Sequence, residues 1–383
     1  MPTIAPLHRL ICLTVLLNTA ASAARFTVLL YALHLGASSL QAGLIGAAYA
    51  LLPALGALRV GTLVDRIGPK RPMLIASATL AFALLFAVDN IYVLFAVVAL
   101  IGLSNNVWFI SHQQLVGAYA RPGNSAAGYI ASGLGFSVAA LIAPIAAGAG
   151  VDGIGYRSTL LAFLILPLAV NLLLLRGMLD FSAVEMSRSA SASAPALSLL
   201  ADRELRRTFI VGAMFEASWT LFAFLVPLLG TALGLSATSI GIVASSISVS
   251  TFACRIVLPW IVRRVPNWRL LIGALMILAL GYTGMALATS VATLAAFGVL
   301  VGVGQSMGAP LVNALLYEGA PPGRSGQAIA LRSSGNYALQ LTLPLATGAL
   351  ATALGAAAGF WLLAGALAAS VWYARPAWNP RPG

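Results

Sequence analysis

Residues 15–26 read VLLNTAASAARF, behind His8, Arg9 and the apolar run 10–17. A charged start, a short apolar core and a small-residue A-x-A tract are the marks of a secretory signal peptide cut near Ala24. The same letters fit the first membrane helix of a polytopic protein, with Arg25 inside it. The choice fixes both the helix count and the position of a permanent charge.

Composition narrows the question. Of 383 residues, 60% are hydrophobic and 8% charged, and the mean hydropathy is +0.97. A soluble chain carries about 25% charged residues. A soluble fold this apolar could not cover its surface, so lipid must do so. A β-barrel would alternate over strands of about ten residues. Here the apolar runs are mostly about 20 residues long, the length of a membrane helix. The net charge of +12 does not indicate nucleic acid, because the arginines sit in short loops between apolar runs. That is the pattern of cytoplasmic loops. Cys12 and Cys254 both lie in apolar runs and suggest neither a disulfide framework nor a metal site.

Twelve apolar segments follow one another, over 10–34, 40–60, 72–89, 91–117, 127–149, 155–176, 207–231, 238–262, 269–288, 291–317, 327–350 and 355–374. The expected fold is an all-α polytopic membrane protein in two pseudo-symmetric six-helix bundles, 1–176 and 207–383. A cytoplasmic central loop, 177–206, joins them. It contains SRSASASAP, a flexible low-complexity tract, and then LSLLADRELRR, which reads as a short amphipathic surface helix.

The halves repeat each other. At an offset of 198, Gly36, Ser38, Gly43 and Arg66 map onto Gly234, Ser236, Gly241 and Arg264. At an offset of 200, Gly102, Pro122, Gly123, Ser125, Gly135, Pro144, Gly148 and Gly155 map onto Gly302, Pro322, Gly323, Ser325, Gly335, Pro344, Gly348 and Gly355. Removing the first segment would leave five helices against six. The first segment is therefore expected to be retained, with Arg25 intramembrane. With the N-terminus inside, Arg157 alone of the 21 Lys and Arg residues falls outside, and Arg25, Arg255 and Arg332 fall within spans. Both termini are then cytoplasmic.

Between the second and third segments runs GTLVDRIGPKRPML, with Gly61, Asp65, Arg66, Gly68, Lys70 and Arg71 in fixed spacing. This loop resembles the signature of the major facilitator superfamily (MFS), as do the two six-segment halves and the long central loop. The resemblance implies that Gly61 lets two helices approach closely. It also implies that Asp65 reaches the other half and holds the cytoplasmic side closed. The second-half loop keeps Arg264 but has Arg263 where Asp65 maps. In the fifth segment, Ala140, Ala143, Ala147 and Gly148 around Pro144 resemble the Gly-Pro motif of the family's antiporters, with alanines replacing glycines. That favours export over uptake. The fourth segment has no Arg in its membrane part, so a proton relay through the Arg of the family's drug exporters does not transfer.

Polar residues inside a bilayer are costly and are functional candidates. Several fall in helical rows: Asn18 and Arg25; Asn105, Trp108 and His112; Glu216, Trp219 and Thr220; Asn313 and Tyr317; and Arg332, Asn336 and Gln340. In the family, the first, fourth, seventh and tenth helices line a central cleft, with parts of the second, fifth, eighth and eleventh. The resemblance therefore places these rows at a substrate site. Arg25 has two readings, as the anchor of a substrate anion or as a partner of Glu216. Glu216 is the only acid well inside a span, and burial would let it bind a proton near neutral pH. His112 is a second candidate for proton coupling.

The expected activity is secondary transport of a small organic solute, anionic or zwitterionic, across the cell (inner or plasma) membrane. Alternating access, proton coupling and export are expected, and neither an enzyme reaction nor a cofactor. No Walker-type phosphate loop is present in the sequence, so ATP is not the direct energy source. The partners are the solute, the proton and the lipid bilayer, with no nucleic acid; the family resemblance implies a monomer. The alternative within the class is a proton-coupled multidrug exporter of lipophilic or cationic compounds. One deep acid against three arginines argues against it. A membrane-embedded enzyme with His112 as base is the alternative from another class, and no nucleophile or metal cluster supports it.

Overall fold

The structure is a computed structural model that describes residues 4–86, 88–119, 125–181, 196–321 and 324–374. Among these, all regular structure is helical. The first half contains α1 (Ile4–His34), α2 (Ser39–Ile67), α3 (Lys70–Leu85), α4 (Ile91–Tyr119), α5 (Ser125–Ile154), α6 (Tyr156–Phe163) and α7 (Ile165–Leu175). The second contains α8 (Arg203–Ala232), α9 (Ala237–Ile261), α10 (Asn267–Leu287), α11 (Val291–Gly319), α12 (Ser325–Leu354) and α13 (Ala358–Ala374). Ten spans among the described residues are long and apolar enough to cross a membrane; α3 and α13, of 16 and 17 residues, complete twelve. The first segment is one unbroken helix through Arg25.

Two sequence expectations change. The sixth span is two helices broken at Leu164. Pro167 supplies the reason, because its ring lacks an N–H for the Phe163 carbonyl and would clash with it. The stretch LSLLADRELRR is not a surface helix. Ala196–Ala201 forms a 3₁₀ turn, and Asp202 then caps α8 by accepting from Leu205 N at 2.8 Å. Leu205 and Arg207 are already buried, so these residues begin a membrane span. Asp is a strong N-cap, and it starts the helix where the amphipathic pattern alone would continue it.

The chain forms two compact units. The first is Met1–Ser189 with Ser236–Gly241, and the second is Ala190–Leu235 with Ile242–Gly383. In the first, α1 packs on α4 and α5, and α3 packs on α4 and α7. In the second, α8 packs on α11 and α12, and α10 packs on α11 and α13. These are the same neighbours under the duplication. Individual atoms repeat as well. A Cβ at Gly102 would lie 1.8 Å from the Tyr49 carbonyl oxygen, and one at Gly302 would lie 2.3 Å from that of Ile247. Tyr49 and Ile247 are themselves repeat-related. The turn glycines Gly36 and Gly234 both have positive φ, as do Gly155 and Gly355. Ser38 and Ser236 each accept from the backbone N–H three residues on.

The interior of the first unit is built from side chains such as Leu10, Leu17, Met73, Ile101 and Leu115, all fully enclosed. Many large apolar side chains point outward, Leu55, Ile165, Leu175 and Leu354 among them. In water such a surface would aggregate; in a bilayer it faces acyl chains.

Candidate functional site

Each unit holds its own polar cluster within apolar helices. In the first unit, the Arg25 guanidinium carbon lies 4.1 Å from the centroid of the Tyr49 ring. The Tyr49 hydroxyl accepts a hydrogen bond from Asn105 Nδ2. Thus α1, α2 and α4 meet at a cation on an aromatic face, an arrangement that stabilises a desolvated guanidinium. The Asn105 amide oxygen is enclosed and has no hydrogen-bond partner among the described residues.

One level away lies a closed network. Thr14 Oγ1 accepts from Trp108 Nε1 at 3.2 Å and bonds His112 Nδ1 at 2.8 Å. His112 Nε2 bonds Ser132 Oγ at 3.0 Å, and Phe136 meets the imidazole edge-on. Trp108 and His112 are completely enclosed. Here they tie α1, α4 and α5 together and present no surface to a solute. Asn18 is buried too, donating to the Thr14 carbonyl at 3.2 Å.

The second unit holds the opposite charge. Glu216 on α8 accepts from Gln340 Nε2 at 2.8 Å. Two turns back along α12, Arg332 donates from Nη1 to Asn313 Oδ1 at 2.5 Å. Arg332 Nε is enclosed and has no hydrogen-bond partner among the described residues. It lies 3.6 Å from where a Cβ would stand on Gly212 of α8, an ordinary van der Waals distance; the tight neighbour at Gly212 is Val312 Cγ1, at 2.9 Å. The row Arg332, Asn336, Gln340 therefore joins a cation to an acid along one helix face.

The rows are not uniform. Thr220 is buried, whereas Trp219 is 38% exposed and Tyr317 is 67% exposed. Asn336 and Arg255 are half-buried. Sequence rows identified the charged members but missed Tyr49, Thr14, Ser132 and Gly212. Thr14 stands one turn before Asn18 and could have been read from that spacing. Tyr49, Ser132 and Gly212 lie on other helices and carry no local signal.

In the 61–71 loop, Gly68 ends α2 with φ 74°, a conformation suited to glycine. Arg66 and Arg71 are exposed, and Lys70 Nζ lies 6.0 Å from the Phe181 ring centroid. The Asp65 side chain lies outside the described residues. The close helix approach expected at Gly61 is not present: no described atom lies within 4 Å of a Cβ built there. Close approach occurs instead at Gly148, where a Cβ would stand 2.3 Å from the Ala237 carbonyl oxygen. Gly241 likewise would place a Cβ 2.2 Å from the Pro144 carbonyl oxygen.

Two duplicated six-span units, with charged groups held inside the spans, define a polytopic α-helical membrane protein. The sequence profile of the Major Facilitator Superfamily matches residues 10–291 and 208–383, and the chain belongs to that superfamily. A search among curated proteins finds no matching sequence. Solved structures share the fold. A POT family transporter in complex with a thioalcohol-conjugated peptide is 16% identical, with a TM-score of 0.79 over 96% of this chain and 94% of its own. The nucleoside transporter NupG is 11% identical, with a TM-score of 0.80 over 97% of this chain and 100% of its own. The human organic anion transporter MFSD10 is 18% identical, with a TM-score of 0.64 over 96% of this chain and 99% of its own.

Proposed function

We propose that the protein carries a small anionic or zwitterionic organic solute across the cell membrane by alternating access, coupled to protons. The observation that carries this reading is Arg332. A guanidinium stays charged at any physiological pH, and its planar fork matches a carboxylate or phosphate. Arg332 holds Asn313 with one arm and keeps an enclosed Nε without a hydrogen-bond acceptor among the described residues. A solute anion supplies that acceptor. Arg25, seated on Tyr49, is the second candidate anchor.

Glu216 is the coupling group in this account. Its partner, Gln340, suits both protonation states. The amide N–H donates to a carboxylate, and the amide oxygen, after a flip, accepts from a carboxylic acid. Ionised, Glu216 offsets the charge of Arg332; protonated, it leaves that charge to the solute. Both termini are cytoplasmic by the distribution of basic residues, and the chain acts as a monomer.

Export is the direction favoured by the small residues around Pro144. A second reading, uptake by symport, is favoured by the Glu216–Arg332 relationship, because a proton that helps an anion bind travels with it.

Charged solutes bound by POT transporters of this fold, 5-aminolevulinic acid and sulfate, serve as first probes with dipeptides. The test is the melting temperature of the purified protein against that panel, for wild type and Arg332→Gln. The expected result is that an anionic or zwitterionic solute raises the melting temperature of the wild type and leaves the variant unmoved. Stabilisation by lipophilic cations alone would replace this reading with that of a multidrug exporter.

A further inference from the structure

The network around His112 has a counterpart in the second unit, at the same three positions of the repeat. Thr14 on α1 corresponds to Gly212 on α8, His112 on α4 to Val312 on α11, and Ser132 on α5 to Arg332 on α12. The three positions meet in both units. In the first, Thr14 Oγ1 bonds His112 Nδ1 at 2.8 Å, and His112 Nε2 bonds Ser132 Oγ at 3.0 Å. In the second, a Cβ on Gly212 would lie 2.9 Å from Val312 Cγ1 and 3.6 Å from Arg332 Nε.

The chemistry of the two triads differs. In the first unit both hydroxyls and both ring nitrogens find partners within the triad. In the second, Gly212 has no hydroxyl to match that of Thr14, and Val312 presents methyls where His112 presents nitrogens. Trp108, which also donates to Thr14, corresponds to Gly308, where a Cβ would lie 2.4 Å from Phe215 Cδ1. At these positions α8 and α11 therefore carry no acceptor side chain. Arg332 Nε is enclosed and has no hydrogen-bond partner among the described residues. The bond to Asn313 uses Nη1, away from the edge that Nε forms with Nη2. That edge is the one that takes a carboxylate through two parallel N–H···O bonds.

We propose that Gly212 determines the solute specificity of the second unit. By withholding the hydroxyl that Thr14 supplies at the same position, it leaves the Nε edge of Arg332 to an oxyanion of the solute, a carboxylate above all. Gly212 acts through Arg332 and not by contact with the solute. The proposal rests on the reading of Arg332 as the anion anchor.

The test gives the second unit the missing hydroxyl. The full-length protein carries Val312→Ala in every form that is altered at 212, because a side chain there would press on Val312 Cγ1. In that background Gly212→Ser adds a hydroxyl that accepts from Nε while donating to the carbonyl four residues back. Gly212→Ala adds the carbon alone. Melting temperatures are read without solute and against 5-aminolevulinic acid, sulfate and dipeptides. Without solute, Gly212→Ser is expected to gain several degrees over Gly212→Ala when Arg332 is present, and to lose that gain with Arg332→Met. With solute, affinity in Gly212→Ser is expected to fall about tenfold below that in Gly212→Ala, the worth of a hydrogen bond to a charged group. A solute-free difference that is the same with Arg332 and with Arg332→Met would overturn the proposal and leave Arg332 as an anchor. Equal affinities in the two variants would overturn it as well. A panel that shifts wild type and Arg332→Met alike, or neither, removes the anchor reading itself, and the proposal falls with it.

Discussion

Gln340 on α12 donates from Nε2 to Oε1 of Glu216 on α8, at 2.8 Å. The amide holds the acid within the second unit, eight residues along α12 from Arg332. An acid, an amide and a guanidinium thus stand on two neighbouring helices, the arrangement on which the proposed coupling rests.

Glu216→Gln removes the proton site and retains a side chain of the same shape. Gradient-driven transport is expected to be lost, while exchange of labelled for unlabelled solute continues. Reconstituted vesicles with and without a pH difference separate the two activities. Driven transport that survives would remove Glu216 from the coupling step.

Arg332→Gln is expected to weaken binding of an anionic solute by tenfold or more, in line with about 1.5–3 kcal/mol for a hydrogen bond to a charged group. Arg332→Lys keeps the charge and loses the fork, and recovers only part of that affinity. Titration calorimetry on the purified protein reads both.

Arg25→Gln is expected to fold normally and to lose anion binding. Tyr49→Phe keeps the ring under Arg25 and removes the hydroxyl that serves Asn105, so it lowers stability by about 1 kcal/mol and leaves affinity unchanged. Unchanged affinity in Arg25→Gln would give Arg25 a purely structural role.

Thr14→Val strands Trp108 Nε1 and His112 Nδ1 in an enclosed site. The expected loss is about 1–3 kcal/mol for the buried groups left unpaired, seen as a lower melting temperature. Thr14→Ser keeps the hydroxyl and restores most of it.

Gly102→Ala and Gly302→Ala push a methyl into the carbonyls of Tyr49 and Ile247. Each is expected to cost about 1–3 kcal/mol from overpacking. Gly61→Ala, facing open space among the described residues, is expected to leave the melting temperature unchanged. Its effect, if any, then falls on transport rate.

Much of this was legible in the chain. The repeat register paired Gly102 with Gly302, and the structure gives the reason for the pair, because each lies against a backbone carbonyl of a neighbouring helix. The charged groups Arg25, Glu216 and Arg332 stood out because their cost in a bilayer makes each improbable by chance. Their partners did not. Tyr49, Ser132 and Gly212 are ordinary membrane residues whose roles arise only when helices distant in sequence pack together. Helical rows also treat a face as one environment, whereas Thr220 and Trp219, or Asn313 and Tyr317, differ widely in enclosure. The break at Leu164 and the cap at Asp202 depend on single residues, Pro167 and Asp202, acting against a continuous apolar or amphipathic pattern.

The most direct test of the central claim needs no assumed substrate. Wild type and Glu216→Gln are expressed in matched cells, and every small molecule in the medium is followed over time. The account predicts that an anionic or zwitterionic compound changes its level only with the wild type. Accumulation outside establishes export, and depletion establishes uptake. The same change with both proteins, or a change confined to lipophilic cations, would contradict it.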